Sequence, residues 1–209
     1  MVAVVFMRGV FMSKVKKASG RNLESVTKYC RELQDEYSKL LAVRIDLGYN
    51  KEHGSECSLE KIKKDVKHML DNRRGNHSLF RDQVGYIFKF EDAKEKGPHA
   101  HVLLLFNGQK VCKDAHLGDQ IGKYWNEKIT DGNGVFHNCN RDKGRYEQCG
   151  IGMIDHSDFA KRAALEEKVI GYMLKDEQSI DGIKQSGREK SVTKGVCIKK
   201  KSSAGRPRN

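Results

Sequence analysis

The sequence predicts an α+β fold built on one antiparallel β-sheet. The first observation is that Val43, Ile45 and Leu47 alternate with polar residues in segment 41–49, a pattern typical of a half-buried strand. The second is a pair of segments, 84–91 (VGYIFKFE) and 99–106 (HAHVLLLF), rich in aromatic, β-branched and other apolar residues. The turn sequence KEKGP lies between them, so the two segments are predicted to form a hairpin.

Helical spacing of apolar residues fills most of the remaining chain. Helices are predicted over residues 23–40, 58–74, 114–129 and 157–178. The residues expected to cap three of these helices are Asn22, Ser58 and Ser157. Segment 132–146 is rich in Gly, Asn and Asp and is predicted to be an exposed loop, and segment 149–154 is predicted to be a short strand.

The predicted elements follow one another in the order βαββαβ, starting at residue 41. This order is that of the split βαβ, or ferredoxin-like, arrangement. It predicts that the first and third strands lie side by side at the centre of the sheet. Two helices would cover one face and leave the other free for a ligand or for the final helix. The helix before residue 41 and the helix after the last strand are additions to this unit.

Net charge indicates a polyanionic partner. The 209 residues carry a net charge of +12, with +8 in residues 184–209, +4 in residues 1–40 and none in between. We therefore expect an N-terminal arm (1–21), a folded domain (22–178) and a basic tail (179–209) that contacts nucleic acid phosphates. The candidate phosphate contacts in this tail are Lys199, Lys200, Lys201, Arg206 and Arg208.

Hydropathy and cysteine usage favour the cytoplasm. No apolar run approaches the length that crosses a bilayer, so no membrane partner is expected. The six cysteines are scattered without a C-x-x-C pair and are expected to be reduced thiols. His137, Cys139, Cys149 and His156 could in principle form a zinc site, but their spacing matches none of the usual ligand patterns.

The peptide HAH at residues 99–101 is the most informative part of the sequence. Residues two apart on a strand share a face, so His99 and His101 would present two imidazoles together. A carboxylate from the preceding strand would complete a site for Mg²⁺ or Mn²⁺. Glu91 is preferred because it closes that strand, and Asp92 and Asp46 are the alternatives.

A second candidate element, YMLK, lies on the final predicted helix. Tyr172 and Lys175 are three residues apart and share a helix face. A phenol is a poor nucleophile at its ordinary pKa near 10. A nearby cation and a metal on the attacked phosphate would favour its anionic form.

Together these motifs resemble the HUH endonucleases of the Rep class. The HAH peptide is similar to their histidine–hydrophobic–histidine motif, and YMLK is similar to their Y-x-x-K nucleophile motif. More narrowly, RIDLGY (44–49), GPHAHVLLLFNG (97–108), GYMLKDEQ (171–178) and GRPR (205–208) resemble the replication initiation proteins of filamentous phages (inoviruses) and their prophage relatives. The likeness covers roughly residues 41–178 and implies an HUH palm.

The resemblance implies an enzyme that nicks and rejoins single-stranded DNA during rolling-circle replication. Tyr172 would form a 5′-phosphotyrosine bond with single-stranded DNA or an extruded origin hairpin, with Lys175 assisting. Because the sequence lacks a G-x-x-x-x-G-K-[ST] loop, a host helicase and a host polymerase are the expected partners. The alternatives are a relaxase or single-strand transposase of the same superfamily, or a non-catalytic DNA-binding regulator.

Overall fold

A computed structural model describes residues 20–54, 57–72, 75, 77–93, 97–175 and 190–197. The structure is α+β with one antiparallel sheet, as predicted, but the sheet has six strands where the sequence predicted four. The strands are β1 (Lys39–Tyr49), β2 (Gln83–Ala93), β3 (Gly97–Asn107), β4 (Gly134–Asn138), β5 (Gly152–Asp155) and β6 (Val192–Lys194). Within the described residues, no helix is both long enough and apolar enough to cross a bilayer.

The helices are distributed around this sheet. They are α1 (Gly20–Glu36), α2 (Lys51–Gly54), α3 (Leu59–Asp71), α4 (His77–Phe80), α5 (Asp114–Tyr124), α6 (Phe159–Ala164) and α7 (Gly171–Met173). A π-helical turn, Trp125–Ile129, extends α5, and a second one, Leu165–Ile170, joins α6 to α7. Residues 159–173 therefore form one continuous helical segment, which we call the long helix.

The strand order is β4-β1-β3-β2-β6, with β5 also paired to β1. β1 and β3 are thus central and adjacent, as the sequence predicted. β4 pairs with residues 45–49 of β1, whereas β5 pairs with residues 39–42, so two short strands share one edge of β1. The hairpin between β2 and β3 is confirmed, and it brings Glu91 opposite His99.

The sheet separates two apolar layers. On one face, β1 residues such as Val43 and Ile45 pack with α3, α5 and the buried Trp125. On the other face, Leu103 and Ile87 pack with α1 and the long helix. The second layer covers only part of its face, and the uncovered end carries the polar residues described below.

Several sequence predictions are wrong in detail. The predicted loop 132–146 contains strand β4, and residues of the predicted basic tail form the edge strand β6. The first helix begins at Gly20, so Asn22 lies inside it rather than capping it. Ser58 caps α3 as predicted, but the long helix is capped by Asp158 instead of Ser157. The side chain of Asp158 accepts a hydrogen bond from the backbone N–H of Lys161 (3.0 Å).

Gly150 lets the chain before β5 touch the backbone of the long helix. A Cβ atom at this position would lie 2.6 Å from the carbonyl oxygen of Ala164 and closer still to the nitrogen of Leu165. We expect Gly150→Ala to lower the free energy of unfolding by about 1–3 kcal/mol, because this contact cannot relax without moving the helix. Urea denaturation measures the change.

Gly144→Ala is the matched control for this substitution. A Cβ atom at Gly144 would meet no atom within 4 Å, so we expect its free energy of unfolding to change by less than about 0.5 kcal/mol. Equal stability of the two variants would contradict the close packing at Gly150.

Candidate active site

Two rows of residues, most of them polar, cross the end of the sheet on the face that packs against the long helix. Antiparallel pairing brings residues of neighbouring strands opposite one another, and alternation keeps each row on one face. The first row, from β4 to β2, is His137, Asp46, His101 and Lys89. The second row is Val135, Gly48, His99 and Glu91, where a Cβ at Gly48 would lie 3.6 Å from the Cβ of His99.

Glu91, His99 and His101 converge as the sequence predicted. Their potential ligand atoms lie within 4.8 Å of one another, and Glu91 is buried. Oε2 of Glu91 lies 3.2 Å from Nε2 of His101 and 3.6 Å from Nε2 of His99. Two imidazole nitrogens and one carboxylate oxygen form a donor set that fits a divalent cation with open coordination positions.

Asp46 lies outside the group of three potential ligands, on the other side of His101 from Glu91. Its Oδ1 lies 2.6 Å from Nδ1 of His101. A carboxylate on Nδ1 fixes the tautomer and orientation of a histidine whose Nε2 binds a metal. The backbone carbonyl of Gly97 lies 3.1 Å from Nδ1 of His99 and is placed to do the same.

The second alternative ligand, Asp92, lies outside the site. It is the neighbour of Glu91 on β2 and is paired with Pro98, so the alternation of the strand turns its side chain to the opposite face. Glu91 is therefore the carboxylate that the geometry selects. Within the described ranges, Glu91, His99 and His101 form the one group of three potential ligands, and the zinc set drawn from His137, Cys139, Cys149 and His156 does not assemble.

The site holds strong opposite charges in the absence of a metal. Burial raises the pKa of Asp46 and Glu91, but hydrogen bonds and the charge of His101 outweigh burial, so both pKa values fall to about 2. Burial lowers the pKa of His101, yet its two carboxylate neighbours raise the pKa to about 9. The two carboxylates that favour an imidazolium here would also attract a divalent cation.

Tyr172 lies on the same side of the sheet as these imidazoles. Its ring centroid is 6.4 Å from that of His101, and the side chain is 52 % exposed, so the phenol is accessible beside the candidate metal ligands. Partial burial raises the pKa of Tyr172, and the charges of Asp46 and Glu91 raise it further, whereas the guanidinium of Arg44 lowers it.

Two cations flank the phenol ring. Nζ of Lys175 lies 5.7 Å from the ring centroid of Tyr172, just beyond the end of the long helix. Cζ of Arg44 lies 4.8 Å from the same centroid, and its Nη2 is 3.6 Å from Oδ1 of Asp46. Arg44 therefore contacts both the phenol ring and Asp46, the carboxylate that binds His101.

Sequence reasoning missed Arg44. The signal was present, because Arg44 and Asp46 alternate with the apolar residues Val43, Ile45 and Leu47 in β1 and therefore share the face opposite the apolar layer. His137 was also missed as a neighbour of Asp46, because strand β4 was not predicted. The candidate DNA contacts Lys199, Lys200, Lys201, Arg206 and Arg208 lie outside the described residues.

Comparison with known proteins identifies the family. The model of the YagK/YfjJ C-terminal domain matches residues 5–133. The chain belongs to this family. The matched residues include Glu91, His99 and His101 but end before Tyr172. The family description names no reaction, so membership adds no argument about activity. No curated protein matches the chain, and no solved structure matches it.

Proposed function

We propose that this protein is a metal-dependent HUH endonuclease that nicks and joins single-stranded DNA to initiate rolling-circle replication. The observation that carries the proposal is the position of Tyr172, whose ring lies 6.4 Å from that of His101 on the face that bears the Glu91, His99 and His101 group. A nucleophile and a metal ligand set must lie this close to act on one phosphodiester.

The fold supports this proposal. The β4-β1-β3-β2 order, with β3 antiparallel to both neighbours, is the order of a ferredoxin-like sheet, and it is the arrangement expected of an HUH palm. The long helix carries Tyr172 over the sheet through the buried residues Leu165, Ile170 and Met173. The helix therefore fixes the phenol relative to the strands that hold the histidines.

Each side chain then has a chemical role. A divalent cation held by Glu91, His99 and His101 would polarise the scissile phosphate. The hydroxyl of Tyr172 loses its proton to solvent as its oxygen attacks phosphorus, the bond between phosphorus and the 3′ oxygen of the preceding nucleotide breaks, and the released 3′ oxygen takes up a proton from solvent. The result is a 5′-phosphotyrosine and a 3′ hydroxyl that a host polymerase can extend. Lys175 and Arg44 stabilise negative charge that develops on the phenol and the phosphate.

A covalent adduct tests this proposal. The protein is incubated with Mn²⁺ and labelled single-stranded DNA, and SDS gel electrophoresis separates any stable complex. We expect a DNA-linked band with Mn²⁺ and none with EDTA, because the phosphate is not activated without the metal. Mass spectrometry of the linked peptide identifies the residue and the joined nucleotide.

The control is the EDTA-treated protein with Mn²⁺ restored in excess, which should regain the adduct. Metal-independent DNA binding without an adduct on any strand would contradict nuclease activity and would favour a non-catalytic DNA-binding regulator. The DNA sequence joined to the protein distinguishes a replication initiator from a relaxase or a single-strand transposase.

A further inference from the structure

A small cleft lies beside the candidate active site. It is formed where the chain before β5 meets the long helix. Its lining combines the polar side chains of Arg44, Tyr146, Gln148 and Lys168 with apolar residues of the chain before β5 and of the long helix. Two of these four polar side chains are cationic, and the other two offer hydrogen-bonding groups. The metal-ligand group uses none of the four, and Arg44 is the one member of this set with a part in the chemistry proposed above.

Arg44 is the unusual member of this lining. Its side chain lies under the long helix and the residue is only 8 % exposed, so the charged guanidinium is largely shielded from bulk water. Its Nε–H is buried and has no hydrogen-bond partner within the described part of the chain, and its Nη2 lies 3.6 Å from Asp46. A buried donor without a partner is costly, and a guanidinium next to a cleft commonly satisfies such donors by binding an oxyanion.

The cleft and the nucleophile site share Arg44. The same Arg44 that lines the cleft has its Cζ 4.8 Å from the ring centroid of Tyr172. Lys168 lies one helical turn before Tyr172 and is exposed. A DNA strand whose scissile phosphate lies at Tyr172 would therefore carry a neighbouring phosphate past Arg44 and Lys168.

We propose that the cleft formed by Arg44, Tyr146, Gln148 and Lys168 is a phosphate-binding subsite for the DNA strand that flanks the scissile phosphate. This proposal rests on the proposed function for its ligand. Arg44 binds a phosphate oxygen at the floor of the cleft, and Lys168 neutralises the same phosphate from the rim. The subsite sets the direction in which the strand leaves Tyr172.

The salt dependence of DNA binding tests the subsite without any cutting. Fluorescence anisotropy measures the binding of a labelled oligothymidylate in EDTA at several salt concentrations. Each lost phosphate contact on a single strand reduces the slope of log affinity against log salt by about 0.7. Raising the salt from about 50 to 200 mM weakens DNA binding by both proteins. We therefore expect the loss of affinity to be about 2.5-fold smaller for Lys168→Gln than for the wild type.

Lys128→Gln is the matched control, since it removes the same charge from the exposed end of the helical turn after α5, on the other face of the sheet. We expect it to keep the slope of the wild type. Arg44→Gln is expected to reduce the slope as Lys168→Gln does. Because Arg44 is buried, the thermal unfolding of Arg44→Gln is measured in parallel. If Arg44→Gln does not fold, the result for Lys168→Gln decides the question.

The subsite is overturned by equal slopes in Lys168→Gln and the wild type, by equal reductions of the slope in Lys168→Gln and Lys128→Gln, or by an oligothymidylate that does not bind the wild type. Competition by inorganic phosphate without any change in DNA slope would also overturn it, since the cleft would then hold a free anion. Oligothymidylate binding in EDTA needs no nicking, so the two proposals can fail separately. An unchanged slope with a normal adduct contradicts the subsite alone. A lost adduct with the expected slope difference contradicts the nuclease function alone.

Discussion

Tyr172→Phe is expected to abolish the covalent protein–DNA adduct and to leave single-stranded DNA binding largely unchanged. The substitution removes only the hydroxyl that would attack phosphorus. The ring keeps its contacts with Arg44 and His101, so the surrounding structure loses little packing. Loss of a nucleophile typically reduces turnover by about 10³-fold or more, which places the residual adduct below detection on a gel.

Tyr124→Phe is the matched control for this variant. Tyr124 is a partly buried phenol on α5, where it packs edge-on against Phe80 and accepts a hydrogen bond from Asn72 (3.1 Å). It lies on the opposite face of the sheet from the histidines. We expect this variant to form the adduct at the rate of the wild type. An undiminished adduct in Tyr172→Phe would remove Tyr172 from the mechanism.

The charges around Tyr172 bear on how the proposed attack would depend on a metal. Partial burial raises the pKa of Tyr172, and the carboxylates of Asp46 and Glu91 oppose its ionisation, while Arg44 favours it. A divalent cation at the histidines would offset the two carboxylates and bring the phosphate to the phenol. In the proposed mechanism, attack by Tyr172 would therefore depend on a cation at the site, because the two carboxylates alone disfavour the phenolate.

Alternation and turn chemistry were sufficient to predict the centre of the fold. In β1, Val43, Ile45 and Leu47 alternate along the strand, and the turn-forming residues Gly97 and Pro98 mark in the sequence where the β2–β3 hairpin reverses. Once the hairpin is known, the number of residues between the two strands decides that Glu91 pairs with His99. The local sequence was therefore sufficient to predict that Glu91, His99 and His101 converge.

Contacts that depend on distant strands could not be predicted in the same way. Asp46 meets His101 from 55 residues away, and the register of β1 against β3 decides that contact. Strand β4 is five residues long and lies in a segment rich in Gly and Asn, whose composition favours turns over strands. Its pairing with β1 compensates for that weak propensity. The position of Tyr172 depends on how the long helix packs, which no local pattern encodes.

Replacing both His99 and His101 with Ala is expected to abolish metal binding and the adduct together. Loss of a residue that only orients a metal ligand already reduces affinity by about 10–100-fold. Loss of two ligands should therefore reduce Mn²⁺ affinity by more than about 100-fold, measured by titration calorimetry. Salt-sensitive DNA binding should persist, because Arg44 and Lys168 are unchanged. His68→Ala with His116→Ala, two exposed histidines on α3 and α5, is the matched control.

Glu91→Gln separates a metal defect from a folding defect. The double histidine variant leaves the buried Glu91 without the imidazoles that stabilise its charge, so part of any loss of adduct could reflect lower stability. Glu91→Gln keeps the shape of the side chain and removes the charge instead. We expect it to fold, to bind Mn²⁺ more weakly than the wild type and to form less adduct at limiting Mn²⁺. If it bound Mn²⁺ as tightly as the wild type, the cation would lie elsewhere and the histidine pair would have another role.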